Sequence, residues 1–199
     1  MANIERRSGL SFKMFMDEYI IPNRPVILTD ASKDWKAYQF FTPDFFKKNF
    51  PDKKASIKGK EYLLGQYIDM MLASTADNPA PYPFKIDLDR NFNELIEYVQ
   101  PDFEVMRKNR LKSPLFKNGL IPQASTLEVF FGGAAGWFPY IHYDLYGLYA
   151  IVTQVYGHKE FILYKPEEEK YMYPDPENPW KSTIKDYHQP DYEKYPLFK

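Results

Sequence analysis

The amino-acid sequence predicts a mainly β fold preceded by an α/β N-terminal region. Three observations carry this expectation. The hydrophobic pattern changes near residue 120, from mixed helical and short-strand spacing to short β-prone runs. Glycines at 132, 133, 136, 147 and 157 punctuate those runs, as turns between strands do. Aromatic residues (16 Phe, 17 Tyr and 3 Trp) make up 18% of the chain, enough to build a core or line a deep pocket. Residues 1–120 read as the α/β region. Residues 121–199 read as the first strands of an antiparallel sandwich or barrel, followed by an irregular C-terminal excursion.

In order along the chain, Ser11 caps a helix through Tyr19, with Phe12, Phe15, Met16 and Tyr19 at helical spacing, and Pro22-Asn23 stops it. The apolar run Pro25 to Thr29 is a short buried strand. Thr42-Pro43-Asp44 opens a helix with Pro at its first position. Lys54 to Lys58 alternates as a strand does. Glu61 to Ala73 is the clearest helix, with Leu64, Ile68, Met71 and Leu72 on one face. Tyr82 to Leu88 is a strand and Asn91 to Val99 a helix. Strands are then expected over Thr126 to Phe131, Trp137 to Asp144, Leu148 to Tyr156 and Lys159 to Tyr164. Gly132 to Gly136 is a turn. It lacks the Gly-Lys-Ser/Thr ending that a phosphate loop needs. Glu167 to Glu169 form a solvated helix start after Pro166, and Pro166 to Lys199 is ordered but irregular.

Bulk properties exclude several classes. A length of 199 residues fits one domain with at most a small extension. The net charge of −1, from 26 basic and 27 acidic residues, gives no specific nucleic-acid or membrane-surface signal. The sequence has no cysteine, so it has no disulfide and no thiolate metal site. Met1 to Leu10 carries Glu5, Arg6 and Arg7 without an apolar core, unlike a signal peptide. No run reaches the ~18 apolar residues of a membrane span. A cytoplasmic protein is the expectation.

His142 and Asp144 stand two apart in an expected strand, so their side chains share a face. An imidazole and a carboxylate converging inside a barrel are how a 2-His-1-carboxylate triad for non-haem Fe(II) begins. The bland reading is a strand-end histidine bonded to its own aspartate, and for so short a motif it carries more weight. Lys159 follows His142 by 17 residues (159 − 142), in Gly157-His158-Lys159 before the apolar run Phe161-Ile162-Leu163. A lysine at the start of a buried strand needs an anionic partner. A surface lysine beside a tight turn is the competing reading.

The stretch Glu128 to Gly133, then His142-Tyr143-Asp144, then Gln154 to Pro166 resembles the central block of the Jumonji-C, cupin-like hydroxylases. Asn23 to Leu28 with Trp35 resembles the segment that leads into that family's domain. Pro190 to Pro196 is similar to the segment after the core lysine strand in the asparaginyl hydroxylase that inhibits hypoxia-inducible factor. Gly-His-Lys and its distance from the histidine fit the lysyl-hydroxylase branch. The resemblance implies a double-stranded β-helix of the cupin, or jelly-roll, type. It implies an Fe(II)- and 2-oxoglutarate-dependent hydroxylase acting on a protein or peptide side chain. His142 and Asp144 match the first two iron ligands, and Lys159 the lysine that binds the distal carboxylate of 2-oxoglutarate. No further catalytic residue is implied. Tyr82 or Phe84 lies near the family's aromatic at the cosubstrate pocket, and which of them matches stays open.

Two departures accompany the resemblance. Three residues before the histidine the family carries a threonine that helps hold 2-oxoglutarate, and here Pro139 stands instead, with no donor. The family's third ligand, a late histidine after a Pro-Gly-Asp turn, has no counterpart before Lys199, while His158 and His188 are poor substitutes. The barrel is therefore expected to be incomplete at the C-terminus, with weak Fe(II) binding, little turnover and a sheet edge prone to self-association. A catalytically impaired or truncated cupin-like binding module is the competing function. Dimerisation stays open. Trp137, Phe138 and Tyr140 flank His142 and either line a substrate mouth or pack into the core.

Overall fold

The computed structural model describes residues 3–100, 127–145 and 148–198. The expected change of pattern at residue 120, the strand start at Thr126 and the glycine at 147 lie outside the described residues. The chain divides into two units, Met1–Phe46 with Ile86–Val129, and Lys47–Lys85 with Phe130–Lys199.

In the first unit, β1 (Arg6–Arg7) pairs in parallel with β2 (Ile27–Leu28). Between them, Ser11 caps α1 (Phe12–Phe15), its side chain accepting from the Met14 amide at 3.2 Å. The helix widens into a π turn over Met16–Ile20. Leu10, Phe15 and Tyr19 are buried against Ile20, Val26 and Leu28. Asn23 closes the helix in the left-handed region, at φ 53°. Around Tyr19, Arg7 donates to the phenol at 2.7 Å and to Glu18 at 2.9 Å. Next come α2 (Ala37–Phe40) and α3 (Pro43–Asn49), the latter with the Thr42 hydroxyl accepting from the Phe45 amide at 3.2 Å. Phe41, Phe46, Phe92 and Tyr98 pack as rings 5.1–5.8 Å apart. The expected helix over 91–99 is a short turn, α5 (Leu88–Asn91), followed by a 3-10 helix, Asn93–Val99.

In the second unit, β3 (Lys54–Ile57) pairs antiparallel with β4 (Lys60–Leu63). The predicted helix from Glu61 therefore begins later, as α4 (Leu64–Leu72). The reason is the two-residue turn: Lys58 and Gly59 both take positive φ, 50° and 80°, as a tight hairpin turn requires, so Glu61 and Tyr62 join a ladder. Leu64, Tyr67 and Ile68 are buried on α4, whereas Leu72 is exposed.

Two further strands, β5 (Phe84–Asp87) and β6 (Glu128–Phe131), pair with each other. Within the second unit, Phe84 stacks on Tyr67 at 4.5 Å and meets Phe131 edge-on at 5.8 Å. The Tyr67 hydroxyl lies 2.6 Å from the Pro81 carbonyl and 3.2 Å from that of Phe131. Burial pushes this phenol far above its ordinary pKa, so it stays a donor.

The described residues hold three two-stranded pairs, not the ladders of a double-stranded β-helix. The strands expected over 137–144, 148–156 and 159–164 are not formed; within them His142 alone makes a bridge, to Lys181. A strand exists only through a ladder partner, and apolar residues of 148–163 such as Val152, Tyr156 and Leu163 are exposed. The C-terminal excursion is irregular, as expected, yet has its own core of Ile184, Tyr195 and Phe198 with Ile141, Tyr164 and Met172 around it. A 3-10 helix, Pro166–Tyr171, opens it with the Lys165 amide donating to Glu168 at 3.2 Å.

Gly133 is a tight point of the second unit. A Cβ there would meet the Met71 carbonyl oxygen at 2.6 Å and the Ser74 Cβ at 2.5 Å. Gly133→Ala is expected to cost about 1–3 kcal/mol by overpacking. It should show as a lower urea midpoint, while an unchanged midpoint would mean α4 yields freely.

Candidate metal and cosubstrate site

His142 is placed by the C-terminal excursion. The Tyr143 amide donates to the Trp180 carbonyl at 3.0 Å, and the Ser182 amide donates to that of Ile141 at 2.8 Å. Trp180 also packs edge-on against Tyr140 at 5.9 Å, and the Lys181 ammonium lies over both rings. This short pairing holds 141–143 against 180–182, with His142 inside it and Asp144 just beyond it. Both side chains are exposed.

The His142 ring lies 4.8 Å from Phe138, and its Nδ1 is 3.3 Å from the Tyr140 carbonyl. A carbonyl only accepts, so this contact assigns the proton to Nδ1 and leaves the Nε2 lone pair free. A backbone carbonyl on the far nitrogen is how ligating histidines are commonly held. Asp144 has no hydrogen-bond or ion-pair partner among the described residues. An imidazole with a free Nε2 and a carboxylate are donor types that an Fe(II) site uses. Among the described residues no three His, Cys, Asp or Glu side chains are grouped to hold a metal. His188 is elsewhere engaged, 5.8 Å from the Trp137 ring and 4.6 Å from Tyr187.

Lys159 is exposed, yet it is not a bare surface lysine. Its ammonium donates to the Tyr82 hydroxyl at 2.8 Å and lies 5.3–5.4 Å from the Tyr82, Phe130 and Phe161 rings. The fold explains the convergence. Phe131 faces the core, so its neighbour Phe130 projects to the opposite face of β6. Gly132 lets the Tyr82 ring approach, since a Cβ there would fall 2.7 Å from it. Tyr82 in turn meets Phe138 edge-on at 5.5 Å. His142, Phe138, Tyr82 and Lys159 thus form one continuous chain of contacts. Phe84, the other aromatic offered by the sequence, is fully buried core. Nothing in the spacing marks Tyr82 and Phe130 as partners of Lys159, because the Lys159–Tyr82 contact spans 77 residues.

Beside this chain opens a cavity of about 330 Å³ lined by Ser56, Ile57, Lys58, Tyr82, Pro83, Lys85, Phe138, Pro139 and Tyr140. Pro139, where the resemblance leads one to expect a threonine, is part of its wall. Of the aromatics flanking His142, Phe138 and Tyr140 line the cavity, and Trp137 does not. Gly132→Ala and Tyr82→Phe are each expected to loosen Lys159. Lysine labelling read by mass spectrometry should show Lys159 reacting several-fold faster in both variants, and equal labelling would mean that Tyr82 does not hold it.

No helix among the described residues is long and apolar enough to cross a membrane. Residues 44–199 match the model of the cupin-like domain family. The chain is also 29% identical over 180 residues to the tRNA wybutosine-synthesizing protein 5 of Gallus gallus, an alignment covering 84% of this chain and 50% of that protein. It therefore spans about half the length of that curated relative. With more than half of its residues under the family model, the chain belongs to the cupin-like domain family.

Proposed function

We propose that this chain carries the iron- and cosubstrate-binding part of an Fe(II)- and 2-oxoglutarate-dependent oxygenase. The observation that carries the proposal is the continuous run from His142 through Phe138 and Tyr82 to Lys159. It sets a metal-competent imidazole and a cation for a dicarboxylate at two ends of one aromatic wall. Membership of the family implies a jelly-roll β fold, and a double-stranded β-helix is its proposed completion.

His142 would hold the metal through Nε2, its Nδ1 proton occupied by the Tyr140 carbonyl. Asp144 would offer a carboxylate that no other described group competes for. The metal and 2-oxoglutarate, when bound, supply the oxidising chemistry that places oxygen in a C–H bond. Lys159 would neutralise the distal carboxylate of the cosubstrate, and Tyr82 would aim the ammonium. Pro139 has no donor for that carboxylate, so Lys159 and Tyr82 carry a larger share of it. Phe130 and Phe161 keep the ammonium on an apolar bed, which strengthens its attraction for an anion.

The substrate implied by the hydroxylase resemblance is a protein or peptide side chain. A nucleobase is the second reading, raised by the relative named for wybutosine synthesis in tRNA. The lysine- and aromatic-lined cavity favours it. Titration with Mn(II), followed by electron paramagnetic resonance, tests the metal site. Loss of an outer partner already costs about 10–100-fold in metal affinity, so His142→Ala and Asp144→Ala should each cost about a hundredfold or more. Metal binding that survives both changes would sink the assignment.

A further inference from the structure

We propose that residues 148–156 are an interaction surface for a second copy of this chain, two such tracts pairing antiparallel about a two-fold axis at Val152. Leu148 to Tyr156 holds no charged residue, no proline and no glycine. Its Ile, Thr, two Val and two Tyr are strand-forming types. The chain runs without turn or bend from 148 to 155, yet it joins no ladder. Among the described residues, the backbone of 150–155 makes no hydrogen bond. Consecutive side chains are exposed, Ile151 at 37% and Val152 at 54%. The tract holds none of the residues assigned to metal or cosubstrate.

The chemistry of the tract selects its own copy. Natural sheet edges are blunted by charged residues and proline, and this tract carries neither. A lipid surface does not fit, because unpaired amide and carbonyl groups cannot enter hydrocarbon. A foreign partner is commonly steered and set in register by charge, and the tract has none to offer. A second copy brings the same neutral strand, without like-charge repulsion, and closes the pair as a two-fold interface. Centred on Val152, the ladder sets Val152 opposite itself and Ile151 opposite Thr153. It also sets Leu148 opposite Tyr156 and Tyr149 opposite Val155, the aromatic and β-branched pairings that stabilise antiparallel strands. The Gln154 side chain donates to the Tyr156 carbonyl at 2.8 Å and so closes the tract at that end. Between 148 and 163, eight large hydrophobic side chains are 37–58% exposed. At roughly 100 Å² each they offer about 800 Å² per copy, the share of one partner in a standard interface. The largest apolar patch of an ordinary monomer is smaller, about 300–600 Å².

Sedimentation velocity of the full chain across a range of concentrations should show a monomer–dimer equilibrium. Val152→Lys sets two ammonium groups against each other on the two-fold axis and should weaken the dimer about tenfold or more. Ile21→Lys, at a side chain 72% exposed in the other unit, should leave the dimer unchanged. The chain has no cysteine, so an introduced one reports register without background. Under mild oxidation Val152→Cys should link two copies by a disulfide, because residue 152 meets its own copy. Ala150→Cys, which lies opposite Gln154, should link several-fold more slowly. If Val152→Lys fails to fold, checked by circular dichroism, the two cysteine variants decide. A monomer at every concentration, assembly that runs past the dimer, a dimer that folded Val152→Lys leaves intact, or equal linking by both cysteine variants overturns the inference.

Discussion

The hydrogen bond from the Lys159 ammonium to the Tyr82 phenol is the constraint on which the site depends. Lys159 sits in an extended run with no ladder of its own, so side-chain contacts must position it. Tyr82 does so because it is itself held, against Gly132 on one side and Phe138 on the other. Behind it, Tyr67, Phe84 and Phe131 form the buried aromatic stack of the second unit, tied off by the Tyr67 hydroxyl. The strand pair that the stack supports places Phe130 under Lys159 by simple alternation. Core packing, backbone pairing and the charged group thus form one line of dependence.

The segment that carries His142 has a second, separate support. The excursion after Pro166 returns to pair with residues 141–143 and buries Ile184, Tyr195 and Phe198 beside Ile141. Ser182, itself buried, donates to the Met172 carbonyl and accepts from the Ile184 amide at 2.9 Å, which fixes the returning segment. Asp175 accepts the amides of Asn178 and Glu177, each at 2.9 Å, at the bend of this return. These backbone contacts, the Asn178 amide first, hold the Asp175 carboxyl below its ordinary range. The return is therefore tightest above the ordinary carboxylate range and loosens as pH falls through the lowered value. A tract that reads as loop by composition thus positions His142.

Legibility in the sequence followed range. The Ser11 cap, the Pro43 helix start, the β3 strand and the glycine turn at 132–136 are local, and each forms where its residues say. The β4 strand is hidden in the sequence because Lys58-Gly59 does not mark a hairpin as Asn-Gly does, although both residues adopt positive φ. The strands over 137–164 have the right composition, but composition cannot supply the partner that makes a strand. His142 and Asp144 stand out in the sequence by their spacing alone. The surroundings of Lys159 are not legible: position offers an anionic partner or a surface turn, whereas the structure supplies the Tyr82 phenol and the Tyr82, Phe130 and Phe161 rings, the first two from distant segments. Such convergence belongs to tertiary structure and leaves no period in the chain.

The central claim is that His142-Asp144 and Lys159 serve one site. Calorimetric titration of 2-oxoglutarate with and without Mn(II), on the native chain, Lys159→Ala, His142→Ala and the double variant, measures that coupling most directly. Metal should strengthen cosubstrate binding in the native chain and lose that effect in either single variant, with the double variant no worse than the singles. Cosubstrate affinity indifferent to metal, or additive losses in the double variant, would contradict the account.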